Sequence, residues 1–251
     1  MSDRGGNGIA RRAALGWFAG GAMALLGGCG LVKSYKPFRY RLTVEVDTPQ
    51  GLRTGSSVIE VTAGEVGTTL GGASAQAKGE AVAVDIAPGQ TLFVLLRSEA
   101  SHGWAAGIMS GVTPEPDDPS IPIDDRFGAK IEAVRANRKL NVVPRWFAPR
   151  FADQKPVGGY PIMVRFRDVR DPKTVERVDP DNLAASFGQG VSLRRITVQI
   201  TDDPVTTGIE KRLVWLLTQR GQLISATQDD PEILRKLSTV TEGDFYLGTL
   251  Q

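Results

Sequence analysis

The chain has one cysteine and one histidine in 251 residues, and each scarcity removes a class of chemistry. A lone cysteine cannot close an intramolecular disulfide, form a CxxC redox pair or build a thiolate-rich zinc site. A lone histidine leaves metal binding to carboxylates. Aromatic residues are sparse at 7%. Net charge is only +2, and Arg4, Arg11 and Arg12 against Asp3 account for all of it. The remainder is neutral, which argues against nucleic-acid binding, because that needs clustered uncompensated cations. No metalloprotease helix, nucleophile elbow, phosphate-binding loop or dinucleotide fingerprint occurs. Nothing calls for a cofactor or a resident metal. The N-terminal apolar segment, Ala13 to Leu26, is about 14 residues and rich in Gly and Ala, short of the ~20 that a spanning helix needs.

What is present begins with that segment. Arg11-Arg12 precede it, and Leu26-Gly27-Gly28-Cys29 closes it with small residues before the only cysteine. This pattern resembles the lipobox that ends the signal peptide of bacterial lipoproteins. The resemblance implies that residues 1–28 are removed and that Cys29 becomes the N-terminus. It also implies a thioether-linked diacylglycerol on Cys29 and an amide-linked acyl chain. Such an anchor is stable because it uses more than one acyl chain. The protein would then sit in the cell envelope, facing the periplasm, with Gly30 favouring the outer membrane over the inner. Ala10-Arg11-Arg12-Ala13 also resembles part of a twin-arginine export signal.

Residues 29–36 carry little structural signal and read as a tether; eight residues reach at most about 26–29 Å. From 37 to 251 the pattern predicts a single globular domain, with the proline-rich stretch 113–125 as the one candidate point of subdivision. Phe38, Tyr40, Leu42, Val44 and Val46 alternate with polar residues, the mark of a strand with one wet face. Thr48-Pro49-Gln50-Gly51 reads as a turn into a partner strand, Ser57–Val61. Thr68 to Ala77 reads as a loop. Val82, Val84 and Ile86 alternate again, Pro88-Gly89 suits a tight turn, and Leu92 to Leu96 reads as a strand buried on both faces.

In the second half, residues 128–140 predict a short basic helix with Asp125 near its start. Strands are expected over 160–168 and around Ile196, Val198 and Ile200. Asp179-Pro180 predicts a two-turn helix closed by Gly188. Thr207-Gly208-Ile209-Glu210 fits a capping box, and Ile209, Leu213, Leu216 and Leu217 share a helical face. A last helix is expected from Asp230-Pro231, carrying Ile233, Leu234 and Leu237. The fold class is therefore α+β and β-rich. An antiparallel sandwich-like or open-barrel sheet is expected in the first half, and strands with two or three packed helices in the second. Val44 to Pro49 and Tyr160-Pro161-Ile162 resemble segments of uncharacterised envelope proteins, a likeness that carries no activity.

Four clusters are candidates for function. Ser101-His102 pairs a hydroxyl with an imidazole, although neighbours in an extended chain point to opposite faces. The carboxylates of 113–125 have the hard oxygens that suit calcium, but not the spacing of a calcium loop. Arg39 and Arg41 read as a solvated strand face. Arg145, Trp146, Phe147, Arg150 and Phe151 interleave cations with aromatics, an arrangement that can stack on rings or sugars. The last is the strongest ligand surface, with Cys29 as the lipidation site. A lipid-anchored, non-catalytic domain that binds another envelope component or a small ligand is the expected function. The partners are the membrane, through Cys29, and another envelope protein, with no nucleic acid. The alternative is a lipid-anchored hydrolase acting on cell-wall or exported material.

Overall fold

The computed structural model describes residues 31–67, 72–149 and 153–248. The predicted leader and Cys29 lie outside the described residues, as do Arg150 and Phe151. Strand β1 (Leu31–Ser34) is followed by β2 (Phe38–Thr48) and β3 (Gly51–Gly67). Alternation decides β2: every even-numbered side chain from Phe38 to Thr48 is buried, and the odd-numbered ones line the outer face. Those outer residues are paired across the sheet, Arg39 with Glu60 at 3.0 Å and Arg41 with Asp203 at 2.6 Å. They form a solvated, self-neutralised face.

The remaining strands are β4 (Ala73–Glu80), β5 (Val82–Ala87), β6 (Gln90–Val94), β7 (Asn141–Val142), β8 (Trp146–Phe147), β9 (Val157–Gly158), β10 (Met163–Phe166), β11 (Val175–Arg177), β12 (Ser192–Thr201) and β13 (Tyr246–Leu247). The helices are α1 (Trp104–Val112), α2 (Arg126–Ala136), α3 (Ala184–Phe187) and α4 (Glu232–Leu237). The first sheet runs β13-β4-β3-β2-β12-β7, with β1 also paired to β3; the second runs β11-β10-β6-β5. All their pairings are antiparallel. The fold is α+β and strand-rich, and its sheets do not close into a barrel among the described residues.

The second sheet is the middle of three layers. On one side Leu92, Val94 and Leu96 meet Leu42, Val44 and Ile196 of the first sheet. On the other, Phe93 and Leu95 meet a cover formed by Leu213, Trp215, Leu237 and Phe245. Ring contacts knit this second core, with Phe166 5.5 Å from Trp215 and Phe93 6.2 Å from Phe245 between centroids. A strand with a core on each side can hold no polar position, which is why 92–96 is continuously apolar. The first two layers approach closely at Gly55, where a Cβ would lie 2.2 Å from the Ala83 carbonyl oxygen.

Several expectations need correction. The 29–36 tether is ordered in part, since Leu31–Ser34 pairs with Gly64–Gly67 and the Tyr35 amide donates to Ala63. The partner strand of the first hairpin is much longer than Ser57–Val61. Part of the predicted loop, 73–77, is strand β4. Its side chains at 73–76 are exposed, so backbone pairing to β3 specifies it and no hydrophobic pattern does.

The two-turn helix after Pro180 shrinks to α3. Asp179 closes a turn by accepting from the Asp181 amide, and Asn182 meets the helical amide of Ala185. The capped helix at 207–221 is instead two 3₁₀ turns, Ile209–Lys211 and Val214–Leu217. Gly208 is left-handed at φ +115, no side chain caps the first turn, and the Glu80 carboxylate accepts from the Ile209 amide. An unbroken α-helix would turn Trp215 away from the leucine stripe. The broken path puts Leu213, Trp215 and Leu216 in one core and leaves Leu217 exposed. α4 buries only Leu237, with Ile233 and Leu234 exposed, because six residues give too little helix to pack a full face. The helix expected over 128–140 is α2, begun at Arg126. No helix of the described residues is long and apolar enough to cross a membrane.

Candidate functional site

The arginine-aromatic stretch folds as a small ribbon, β8 pairing with β9 so that Trp146 faces Gly158. Arg145 precedes the ribbon and organises it. Its guanidinium lies 4.5 Å from the Trp146 ring centroid and 5.3 Å from that of Tyr160. The same guanidinium grips Asp181, with Nε donating at 3.0 Å and Nη2 at 2.8 Å. Hydrogen bonding from Arg145 holds the Asp181 carboxyl below its ordinary range, so the pair stays ionised and compensates itself. Burial pushes the Tyr160 hydroxyl up from its usual value.

The three described members of the stretch therefore divide their roles. Arg145 is committed to Asp181 and serves as the plate on which Trp146 rests. Phe147 belongs to the scaffold: its ring would stand 3.2 Å from a Cβ on Gly111 of α1. Trp146 remains 57% exposed; Val157, which pairs with Phe147 in the ribbon, is 49% exposed. Beneath Arg145 and Tyr160, a groove of about 430 Å³ is walled by Asp181, Asn182 and Leu193. A flat exposed ring held rigidly by a cation, next to a groove with an amide side chain, suits stacking on another ring or a sugar face.

Sequence reasoning missed Tyr160, Asp181, Asn182 and Val157. Asp179-Pro180-Asp181 reads as helix-cap chemistry, and only the fold carries Asp181 back across 36 positions to Arg145.

The other candidates are placed as follows. His102 is exposed in the loop before α1 and borders a shallow groove of about 310 Å³ with Gln76 and Leu247. Ser101 is exposed as well, and among the described residues no hydrogen bond joins the two. The acidic stretch disperses into separate contacts: Glu115 meets Lys130 at 3.0 Å, Asp125 meets Lys33 at 3.1 Å, and Asp118 accepts from Ser120. Among the described residues no three His, Cys, Asp or Glu side chains converge on a metal position. A cavity of about 990 Å³ lies between α1, α2 and this stretch, lined by Gly107 and Ser110.

The chain matches no family model, no curated protein and no solved structure.

Proposed function

We propose that the chain is a lipid-anchored cell-envelope protein whose non-catalytic domain binds another envelope component or a small ligand. The observation that carries this reading is Leu26-Gly27-Gly28-Cys29, small residues and the sole cysteine closing an apolar segment behind Arg11-Arg12. In this reading diacylglycerol on Cys29 holds the domain at the membrane facing the periplasm, and Gly30 favours the outer membrane. Binding is assigned to Trp146, braced by Arg145, because a large exposed ring held in one orientation loses little freedom on contact. The exposed position of His102, with no hydrogen bond to Ser101 among the described residues, supports a binding role over nucleophilic hydrolysis, which needs a base oriented against its nucleophile.

The test is expression of the full chain and its Cys29→Ala variant in a bacterial host fed an alkyne-tagged fatty acid. The parent should take up the tag and sediment with membranes, and the variant should do neither. A variant that still takes up the tag and sediments with membranes overturns the anchor.

A further inference from the structure

Strand β1 tells which end of the domain would meet a bilayer. Its pairing with β3 begins at Leu31 opposite Gly67, so only Gly30 separates Cys29 from the ordered sheet. Two residues span about 7 Å, too short to let the domain tumble freely above an anchored Cys29.

The face of β1 that carries Lys33 and Tyr35 lies along α2. The Tyr35 ring packs edge-on to Phe127, 5.7 Å between centroids, and lies where a Cβ on Gly128 would come within 2.7 Å of it. One strand repeat nearer the chain start, the Lys33 ammonium meets Asp125 at 3.1 Å. Moving along β1 towards Cys29 therefore means moving along α2 towards its N-terminus. Asp125 is the last residue of the 3₁₀ turn Ile123–Asp125 that opens α2. Ile123 stands at the start of this turn and is 80% exposed, the most exposed large apolar side chain described. Exposed Pro122 precedes it, and Asp125 is already matched by Lys33.

We propose that the turn around Ile123 rests on the lipid surface beside the anchor, with the Ile123 side chain in the headgroup–acyl boundary. The proposal rests on lipidation of Cys29. An apolar side chain held by a rigid turn enters that boundary at small entropic cost, and a covalent anchor keeps the turn near it. This fixes the orientation of the domain: the β2–β3 hairpin loop, Pro49-Gln50, points away from the membrane. β2 alone separates the two ends by about 33 Å.

The chain's single cysteine makes the test clean. Acylated as a thioether, Cys29 offers no thiol, so Ile123→Cys and Gln50→Cys each supply the only reactive position. The lipidated full-length proteins are labelled with an environment-sensitive fluorophore and reconstituted into phosphatidylcholine–phosphatidylethanolamine vesicles containing a lipid-borne quencher. Position 123 should be quenched at least about twofold more than position 50, as expected for insertion of some 5–10 Å. Equal quenching of the two in vesicle-bound protein overturns the orientation while leaving the anchor intact. A parent protein that itself takes the thiol label overturns the anchor, and the orientation with it.

Discussion

At the scale of single residues, the fold depends most visibly on a side chain that is missing. Gly55 sits in β3, where any Cβ would meet the Ala83 carbonyl oxygen of β5 at 2.2 Å. The obstacle is backbone in the neighbouring layer, which cannot rotate out of the way. Gly55→Ala should therefore force the two sheets apart and destabilise by about 2 kcal/mol or more, measured by urea unfolding. Trp146 is the opposite case. Its ring is more than half exposed, so Trp146→Ala should shift stability by under about 1 kcal/mol. Under the proposed binding role, the same change should weaken capture of an envelope partner by about tenfold or more, read in pull-downs with the full-length protein. Unchanged capture would remove Trp146 from the binding surface. The interleaving of cations and aromatics at 145–151 was visible in the sequence. Its division into Arg145 as brace, Phe147 as scaffold and Trp146 as exposed plate was not, because Asp181 and Gly111 approach only through the fold.

Among the elements, β2 and β1 show what patterning can and cannot reveal. β2 has five alternating apolar residues and a single wet face, so its period is written in its composition. β1 has four residues and pairs at the edge of a sheet, where the backbone does the bonding. Its hold on α2 comes from Tyr35 and Lys33 rather than from an apolar stripe. Tyr35→Ala should remove the Phe127 contact, and the β1 amides should then exchange hydrogen about tenfold faster while β2 stays protected. Exchange that is unchanged in β1 would show that backbone pairing alone holds the strand. The segment 207–217 failed as an α-helix for a related reason. Its leucine stripe has helical spacing, but Trp215 must reach the same core and donate to the Val169 carbonyl at 3.0 Å. Tertiary demand on one bulky side chain overrode local preference.

Across the whole molecule, the two cores share the second sheet. Val94 and Phe93 are adjacent residues of β6 that belong to different cores, so loss of that sheet opens both. Trp104 reports on the first core and Trp215 on the second. Retaining each as the sole tryptophan should give coincident urea midpoints; midpoints that separate would divide the molecule into two folding units.

Acid should destabilise it. Hydrogen bonds from Arg194, Arg212 and Arg145 hold Asp47, Asp85 and Asp181 below the ordinary carboxylate range. The folded state then binds protons less readily than the unfolded state. The stabilisation is present above about pH 4 and is lost as pH falls further. Asp244 runs the other way. Burial raises its pKa despite Arg97 at 3.7 Å, so its contribution is present at low pH and lost as pH rises through the raised value. With more arginine-paired carboxylates than buried ones, Tm should fall below pH 4, as scanning calorimetry would show.

The sequence by itself determined the α+β class, the strand β2, the twice-buried run at 92–96 and the lone cysteine behind an apolar N-terminal segment. Each of these is local: a period, a continuous apolar run or a count can be read without knowing what lies opposite. Only the tertiary structure decided the three-layer arrangement, the pairing of β1 to β3 and of β4 to β3, the 3₁₀ turns at 209–217 and the Arg145–Asp181 brace. These depend on partners distant in the chain, whose backbone hydrogen bonds and buried surfaces exist only once the sheets are assembled.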